Sequence, residues 1–337
     1  MKKIFIFLML FLLVGCSTTV KKEQTKTTDI VPTMYDKISE NGIWVGTFQL
    51  VWNDLKNELV KQDVDIDHEM ARNLNKEGFT AADISEEYYY KKYGKASLDL
   101  KAEIEKGIKD KFNQGSEILD NLDWTQGYIF YTMLYREFEF ESKFDVLSNT
   151  DFGIYKDIKF FGISPPSSEK LGEQITILFY ENDQNFAISL KTKSGDQVIM
   201  YKNPSGETFE EIYDNMNQKI EAYEGTTVFS EKDEFKAPMI SINYLRDYEE
   251  LKHIPFLTVD GDELEIEEAL QTVEFILDEK GGKVKSEAVI ETRETAMLNE
   301  AEPKKLYLND TFALFLKEEK QEKPYLAAKI TDITKFQ

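Results

Sequence analysis

The chain has 337 residues, 41% hydrophobic and 13% aromatic with only 17 Gly and 8 Pro, so it can bury a large core and is not a disordered tail. Its 63 acids against 41 Lys and Arg give a net charge of −22, which excludes nucleic acid as a partner because phosphate binding needs a basic face. One Cys excludes a disulfide framework and any multi-thiolate metal centre, and two His leave no His-rich zinc site.

Lys2 and Lys3 open the chain, Ile4 to Val14 form an apolar run, and Leu13-Val14-Gly15-Cys16 closes it. That order is a secretory signal, too short to remain in a bilayer as a spanning helix. The tetrapeptide resembles a bacterial lipobox. The resemblance implies a signal peptide at residues 1–15, cleaved off, and a diacylglycerol on Cys16, so the expected partner is a membrane, reached through that lipid from the extracytoplasmic side. Residues 1–15 hold two Lys and no acid, so cleavage leaves 39 bases against 63 acids and a net charge of −24. An anionic membrane surface repels such a body, and residues 16–33, polar and rich in Thr and Lys, are expected to be a flexible tether that holds it in solvent.

The remainder, 34–337, reads as a single domain, since no Pro-rich or Gly-rich linker and no repeat divides it. GIWVGTF has the texture of a short strand and VWNDLKNELV carries Val51, Leu55 and Leu59 at helical spacing. Residues 67–119 are helical in composition, and within them Tyr88, Tyr89, Tyr90 and Tyr93 are expected to form a half-buried helix face rather than a sugar-stacking surface. From Gly127 the texture turns to strands: YIFYTMLYREFEF, DIKFFGI, QITILFY, NFAISLKT and DQVIMYK. GETFEEIYDNMNQKI then predicts a helix with Phe209, Ile212, Tyr213 and Met216 on one side. Helices mixed with consecutive hairpins imply an α+β fold around mostly antiparallel sheets.

Catalytic and metal constellations fail one by one. Asp63, Asp65 and Asp67 begin like a calcium loop, but His68 stands at the glycine position and Leu74 at the closing carboxylate. His68 and His253 are separated by most of the chain and neither accompanies a nucleophile elbow, so each is expected to be a surface or hydrogen-bonded residue. Gly281-Gly282 follows a strand without the phosphate-loop pattern and reads as a turn. No enzyme activity, cofactor or metal is expected.

The C-terminal third carries a resemblance. LQTVEFILDEKGGKVKSEAVI (270–290) followed by PKKLYLNDTFALFLKEEKQEKPYLAAKITDI (303–333) is similar to the serpins: a strand ending in an acidic turn, an exposed reactive loop, then two closing strands. The first closing strand reads Thr311-Phe312-Ala313-Leu314-Phe315-Leu316, with threonine where the family usually has proline. YIFYTMLYREFEFESKFD (128–145) resembles the family's central-sheet strand and the turn after it, and FKAPMISINYLRDYEELKHI (235–254) another of its segments. The resemblance implies a serpin-like α+β fold, with helices packed around large, mostly antiparallel sheets. It implies a hinge at Glu279, Gly281 and Gly282, a reactive loop over 281–302, and a bait bond near Thr295-Ala296, with Arg293 close enough to suit a trypsin-like protease.

A serpin loop works by entering the central sheet as a new strand. Here Gly282, Val284, Ser286, Ala288, Ile290 and Thr292 fall on one face, and Lys283, Lys285, Glu287, Glu291 and Arg293 on the other, with Val289 the exception. Burying Val284, Ala288 and Ile290 would contribute about 4–6 kcal/mol. A one-residue slip would bury four charges, so one register is allowed. The family's inhibitors carry small residues just after the hinge, whereas Lys283, Val284, Lys285, Ser286 and Glu287 stand here, a departure that allows a strand but counts against fast insertion. The expected function is a lipid-anchored, monomeric, extracytoplasmic serpin-like protein that inhibits a serine or cysteine protease by loop insertion. The alternative is a non-inhibitory surface lipoprotein that binds a ligand or protein partner.

Overall fold

Order begins earlier in the chain than residue 34, where the expected tether ends. In the computed structural model, which describes residues 21–22, 28–163, 169–282 and 303–337, Lys21–Lys22 (β1) and Thr28–Val31 (β2) are strands. Thr28, Ile30 and Val31 are buried as β2 runs parallel to Asn41–Val45 (β3). Composition suggested a tether because Thr and Lys solvate well, yet an edge strand needs only backbone partners on one side. Residues 1–15, Cys16, and the loop residues Arg293, Thr295 and Ala296 lie outside the described residues.

The chain then turns at Gly46 into Thr47–Asp54 (α1), whose Phe48, Leu50 and Trp52 are buried, and winds through a π-helical turn at Leu55–Val60. His68 starts Glu69–Leu74 (α2), its Nδ1 accepting a hydrogen bond from the Met70 N–H at 3.2 Å. The tyrosine run is not a helix. Tyr89–Lys95 is a strand (β4), and its side chains alternate: Tyr90 lies over Gly107 of Leu98–Phe112 (α3), while Tyr93 stacks on Phe130 at 5.5 Å. Aromatic residues suit a pleated surface with a partner on each face, and a neighbouring strand supplied it, which a Lys- and Glu-rich window does not reveal. Ser97 caps α3 through the Leu100 N–H at 3.1 Å, and Leu100, Ile104 and Ile108 recur every four residues on its buried side.

From Tyr128 the expected strands appear. Tyr128–Leu134 (β5) pairs with β4, Phe138–Glu139 (β6) follows, and Asp145–Val146 (β7), Thr150–Phe152 (β8), Tyr155–Ile158 (β9) and Phe160–Gly162 (β10) are short. After Glu169–Gly172 (α4) comes a meander of Ile175–Asn182 (β11), Asn185–Lys191 (β12) and Asp196–Lys202 (β13). Phe209–Glu221 (α5) buries Phe209, Ile212 and Met216, as its periodicity predicts. The chain continues as Glu234–Pro238 (β14), Ile240–Asp247 (β15), Phe256–Leu257 (β16), Glu263–Leu264 (β17), Leu270–Leu277 (β18) and Gly281–Gly282 (β19). Lys305–Tyr307 (β20), Phe312–Glu318 (β21) and Leu326–Ile330 (β22) close it.

A seven-stranded sheet in the order β11-β12-β13-β21-β22-β3-β2 forms the body. Phe312 to Leu316 are buried on both faces, which is why that strand reads as a continuous apolar run instead of an alternation. On one face α5 packs through Tyr213 against Phe315, ring centroids 5.0 Å apart; Phe312 meets Phe152 at 6.0 Å. A four-stranded sheet, β20-β14-β10-β7, joins the same core through Phe144, Phe161 and Phe235. A second, smaller core gathers Phe48, Trp52, Val64, Tyr248 and Phe256 around α1. The α+β architecture expected from the sequence is therefore the one observed.

Candidate functional site

The residues expected to form a hinge do converge. β18 ends at Leu277, and the chain reverses over Asp278–Gly281, where each of these two residues donates its N–H to the carbonyl of the other, at 3.1 and 3.3 Å. The Asp278 carboxylate accepts the Lys280 N–H at 2.8 Å and holds the turn shut. Gly281 has φ of +122°, which L side chains rarely adopt, and a Cβ there would lie 2.5 Å from the Phe138 carbonyl oxygen. Gly281 and Gly282 pair antiparallel with Glu139 and Phe138, and the N–H groups of Phe140 and Phe144 reach the carbonyls of Lys280 and Glu279 at 2.9 and 2.8 Å. Glu279 is almost buried beside the Lys143 ammonium at 3.4 Å and the Lys280 ammonium at 3.6 Å. Burial pushes its carboxyl up, but a backbone N–H and the two lysines outweigh that and hold it below the usual carboxylate range.

β6 is anchored on its other side by residues that the sequence reading did not single out. The β12–β13 turn docks there, with the Lys193 N–H on the Glu139 carbonyl at 2.9 Å and the Lys193 ammonium on the Glu139 carboxylate at 2.8 Å. Arg136, just before β6, donates from Nε and Nη2 to Asp196 Oδ2, both at 2.7 Å, with the two side chains almost completely buried. Ser194 and Tyr325 donate hydroxyl hydrogen bonds to the same carboxylate at 2.8 and 3.2 Å, and the Tyr88 ring lies 3.2 Å from the guanidinium carbon. Burial pushes the Arg136 guanidinium down, but Asp196 outweighs it and raises it, whereas at Asp196 burial outweighs Arg136 and holds the carboxyl above its usual range. The signal that could have found Arg136 is its place inside the strand pattern LYREFEF, where a lone Arg needs a buried acid.

The strands on either side of this junction are not joined below it. β5 pairs with β4, and β18 pairs with β15, but among the described residues no ladder connects β5 to β18. We call the space between their free edges the seam. Both halves rest on the same support: Gln271 of β18 donates to the Val45 carbonyl at 3.1 Å and the Thr47 hydroxyl at 2.9 Å, while Asp54 at the far end of α1 pairs with Lys91 of β4 at 2.6 Å. Since β19 runs antiparallel to β18 through the Asp278–Gly281 bridge and antiparallel to β6, strands β18 and β6 run in the same direction. A strand continuing from Gly282 between them would be antiparallel to both and could form full ladders on each edge.

No protein-family model and no curated protein sequence matches the chain. Solved structures do. A thermophilic serpin, tengpin, in its native state is 15% identical with a TM-score of 0.52, over 89% of this chain and 90% of that one. Serpin-12 of Manduca sexta is 12% identical with a TM-score of 0.51, over 89% and 95%. Human thyroxine-binding globulin, in complex with its hormone, is 11% identical with a TM-score of 0.51, over 87% and 92%. Likeness over nearly the whole of each chain shows that this chain has a serpin-like fold.

Proposed function

We propose that the protein inhibits a serine or cysteine protease by inserting the segment after Gly282 into the seam. The observation that carries this reading is that Gly281–Gly282 already runs antiparallel to both β18 and β6 at the upper end of two unjoined edges. Continued along β18, that register sets Val284 opposite Phe275 and Ser286 opposite Val273, both buried residues, and Lys285 opposite the outward-facing Glu274. Continued along β6 and through Tyr135 to Glu137, it sets Lys283 opposite Glu137 and Val289 opposite Tyr131. Tyr131 is buried against α3, so the one apolar residue on the charged face of the segment would meet an apolar cluster. The periodicity of residues 282–293 and the burial pattern of β18 thus agree on which face would be buried.

Incubation with serine and cysteine proteases should give an SDS-resistant complex with one cut between Arg293 and Glu300, near Thr295-Ala296. Cleavage with no complex and no rise in melting temperature would overturn the inhibitory reading. A non-inhibitory role as a ligand carrier is the second reading, supported by the likeness to thyroxine-binding globulin and by the charged residues just after the hinge. A ligand-induced thermal shift without protease trapping would favour it.

The body is proposed to sit on the extracytoplasmic side of a membrane through a lipid on Cys16. Because Lys21 and Lys22 pair with Tyr244 and Leu245, only four residues lie between Cys16 and the edge of β15, a reach of at most about 17 Å over five residue steps. The anchor would hold that edge close to the bilayer instead of leaving the body on a long tether. Detergent-phase partitioning that is lost in Cys16→Ala tests the anchor, and a Cys16→Ala protein that still partitions would refute it.

A further inference from the structure

Between β15 and β18 the chain makes an excursion that brings three donor groups together on the surface. The His253 N–H donates to the Ile266 carbonyl at 2.9 Å, which sets His253 across from the segment carrying Glu265 and Glu267. The two glutamates flank the half-buried Ile266 and are both exposed. A ligand atom from each of the three residues lies within 4.8 Å of the others, with His253 Nδ1 3.8 Å from Glu267 Oε2. The nearest lysine is turned elsewhere: Lys252 binds Asp247 at 3.0 Å, Glu249 at 3.1 Å and Glu268 at 3.4 Å. The run from Asp260 to Glu268 contributes six carboxylates and no base. The cluster is thus a concentration of negative charge around one imidazole, and the adjacent ammonium is committed to other carboxylates.

We propose that His253, Glu265 and Glu267 bind a divalent transition-metal ion of the zinc or cobalt type. One imidazole with two carboxylates is a borderline donor set that suits these ions, whereas calcium and magnesium take oxygen donors alone. A tetrahedral ion with bonds of about 2.0–2.2 Å spaces its ligand atoms roughly 3.4 Å apart. Drawing in ligand atoms that lie up to 4.8 Å apart needs movements of about an ångström, and all three side chains are exposed and free to make them. The fourth position is left to water. The ion would tie the exit of β15 to the entry of β18, clamping the lower end of the half-sheet that borders the seam. The sequence reading found no such site because one His among scattered acids has no metal-ligand spacing.

The test is calorimetric titration of the tag-free protein with Zn²⁺, and the visible spectrum with Co²⁺. One equivalent should bind, Ca²⁺ should not compete, and both His253→Asn and Glu267→Gln should weaken binding at least tenfold. Asparagine tolerates the left-handed backbone of position 253, φ +57°, so the first variant preserves the turn. His68→Asn should bind as the native chain does. No stoichiometric Zn²⁺ or Co²⁺ binding, unchanged binding in His253→Asn or in Glu267→Gln, or an equal loss in His68→Asn would each overturn the site.

Discussion

The carbonyl oxygen of Phe138 occupies the space that any side chain at Gly281 would enter: a Cβ there would stop 2.5 Å from it. The turn therefore stays docked on β6 only while residue 281 is glycine, and the same residue supplies a φ of +122° that the reversal after Asp278 needs. Gly281→Ala should destabilise the fold by about 1–3 kcal/mol and open the turn to limited proteolysis around 278–282. An unchanged cleavage pattern and melting temperature would show that the hinge does not depend on this contact.

The Arg136–Asp196 pair should behave as a buried unit. Arg136→Met leaves the Asp196 charge uncompensated and should cost about 3–5 kcal/mol in urea unfolding, as should Asp196→Leu, which strands the guanidinium. The double variant should be less destabilised than the two losses added together, because no lone charge remains buried. Strict additivity would mean that the two groups do not support each other.

Lys285 and Glu274 test the proposed register. When the loop of the native protein is cut by a protease, the melting temperature should rise as the segment enters the seam. Lys285→Glu sets like charges opposite each other, about 0.2–1 kcal/mol unfavourable, and should reduce that rise; adding Glu274→Lys should restore it. Equal rises in all three proteins would rule out this pairing. Glu274 faces outward on β18, so its substitution should leave the uncut fold unchanged.

Gly107 lies in the middle of α3, where alanine would ordinarily be worth up to about 1 kcal/mol in helix propensity. The Tyr90 ring takes that advantage away, since a Cβ on residue 107 would approach it to 2.4 Å. Gly107→Ala should lower stability by about 1–3 kcal/mol, and Tyr90→Ala in the same chain should recover part of it. A stabilising Gly107→Ala would show that the ring yields freely.

Glu279 links hinge stability to pH. Its folded carboxyl is held below the usual carboxylate range, so the stability it contributes is present in full above the unfolded value and lost as pH falls through the folded one. Glu279→Gln should flatten the acid limb of the stability curve below about pH 4.5 and leave the neutral region with a lower plateau. An acid limb identical to that of the native chain would assign the pH dependence to other carboxylates.

What the sequence determined by itself is what local periodicity and composition can carry. The alternation of 282–293 and the buried face of α5 follow from side-chain spacing, and the structure keeps the helix face as read. The turn at Gly281 and Gly282 was legible because two glycines after a strand are a local turn pattern, and the chain does reverse there. Tertiary structure alone decided the rest. Tyr89–Lys95 is a strand because β5 pairs with it and α3 covers one face, and the window itself contains neither partner. Residues 28–31 belong to the body because β3 offers them a free edge. Arg136 finds Asp196 sixty residues away, and His253 meets Glu265 and Glu267 only through the turn that returns the chain. The seam is the same kind of fact: β5 and β18 each have the strand character to pair, and whether they do is fixed by how both rest on α1, a relation between distant segments that no local pattern encodes.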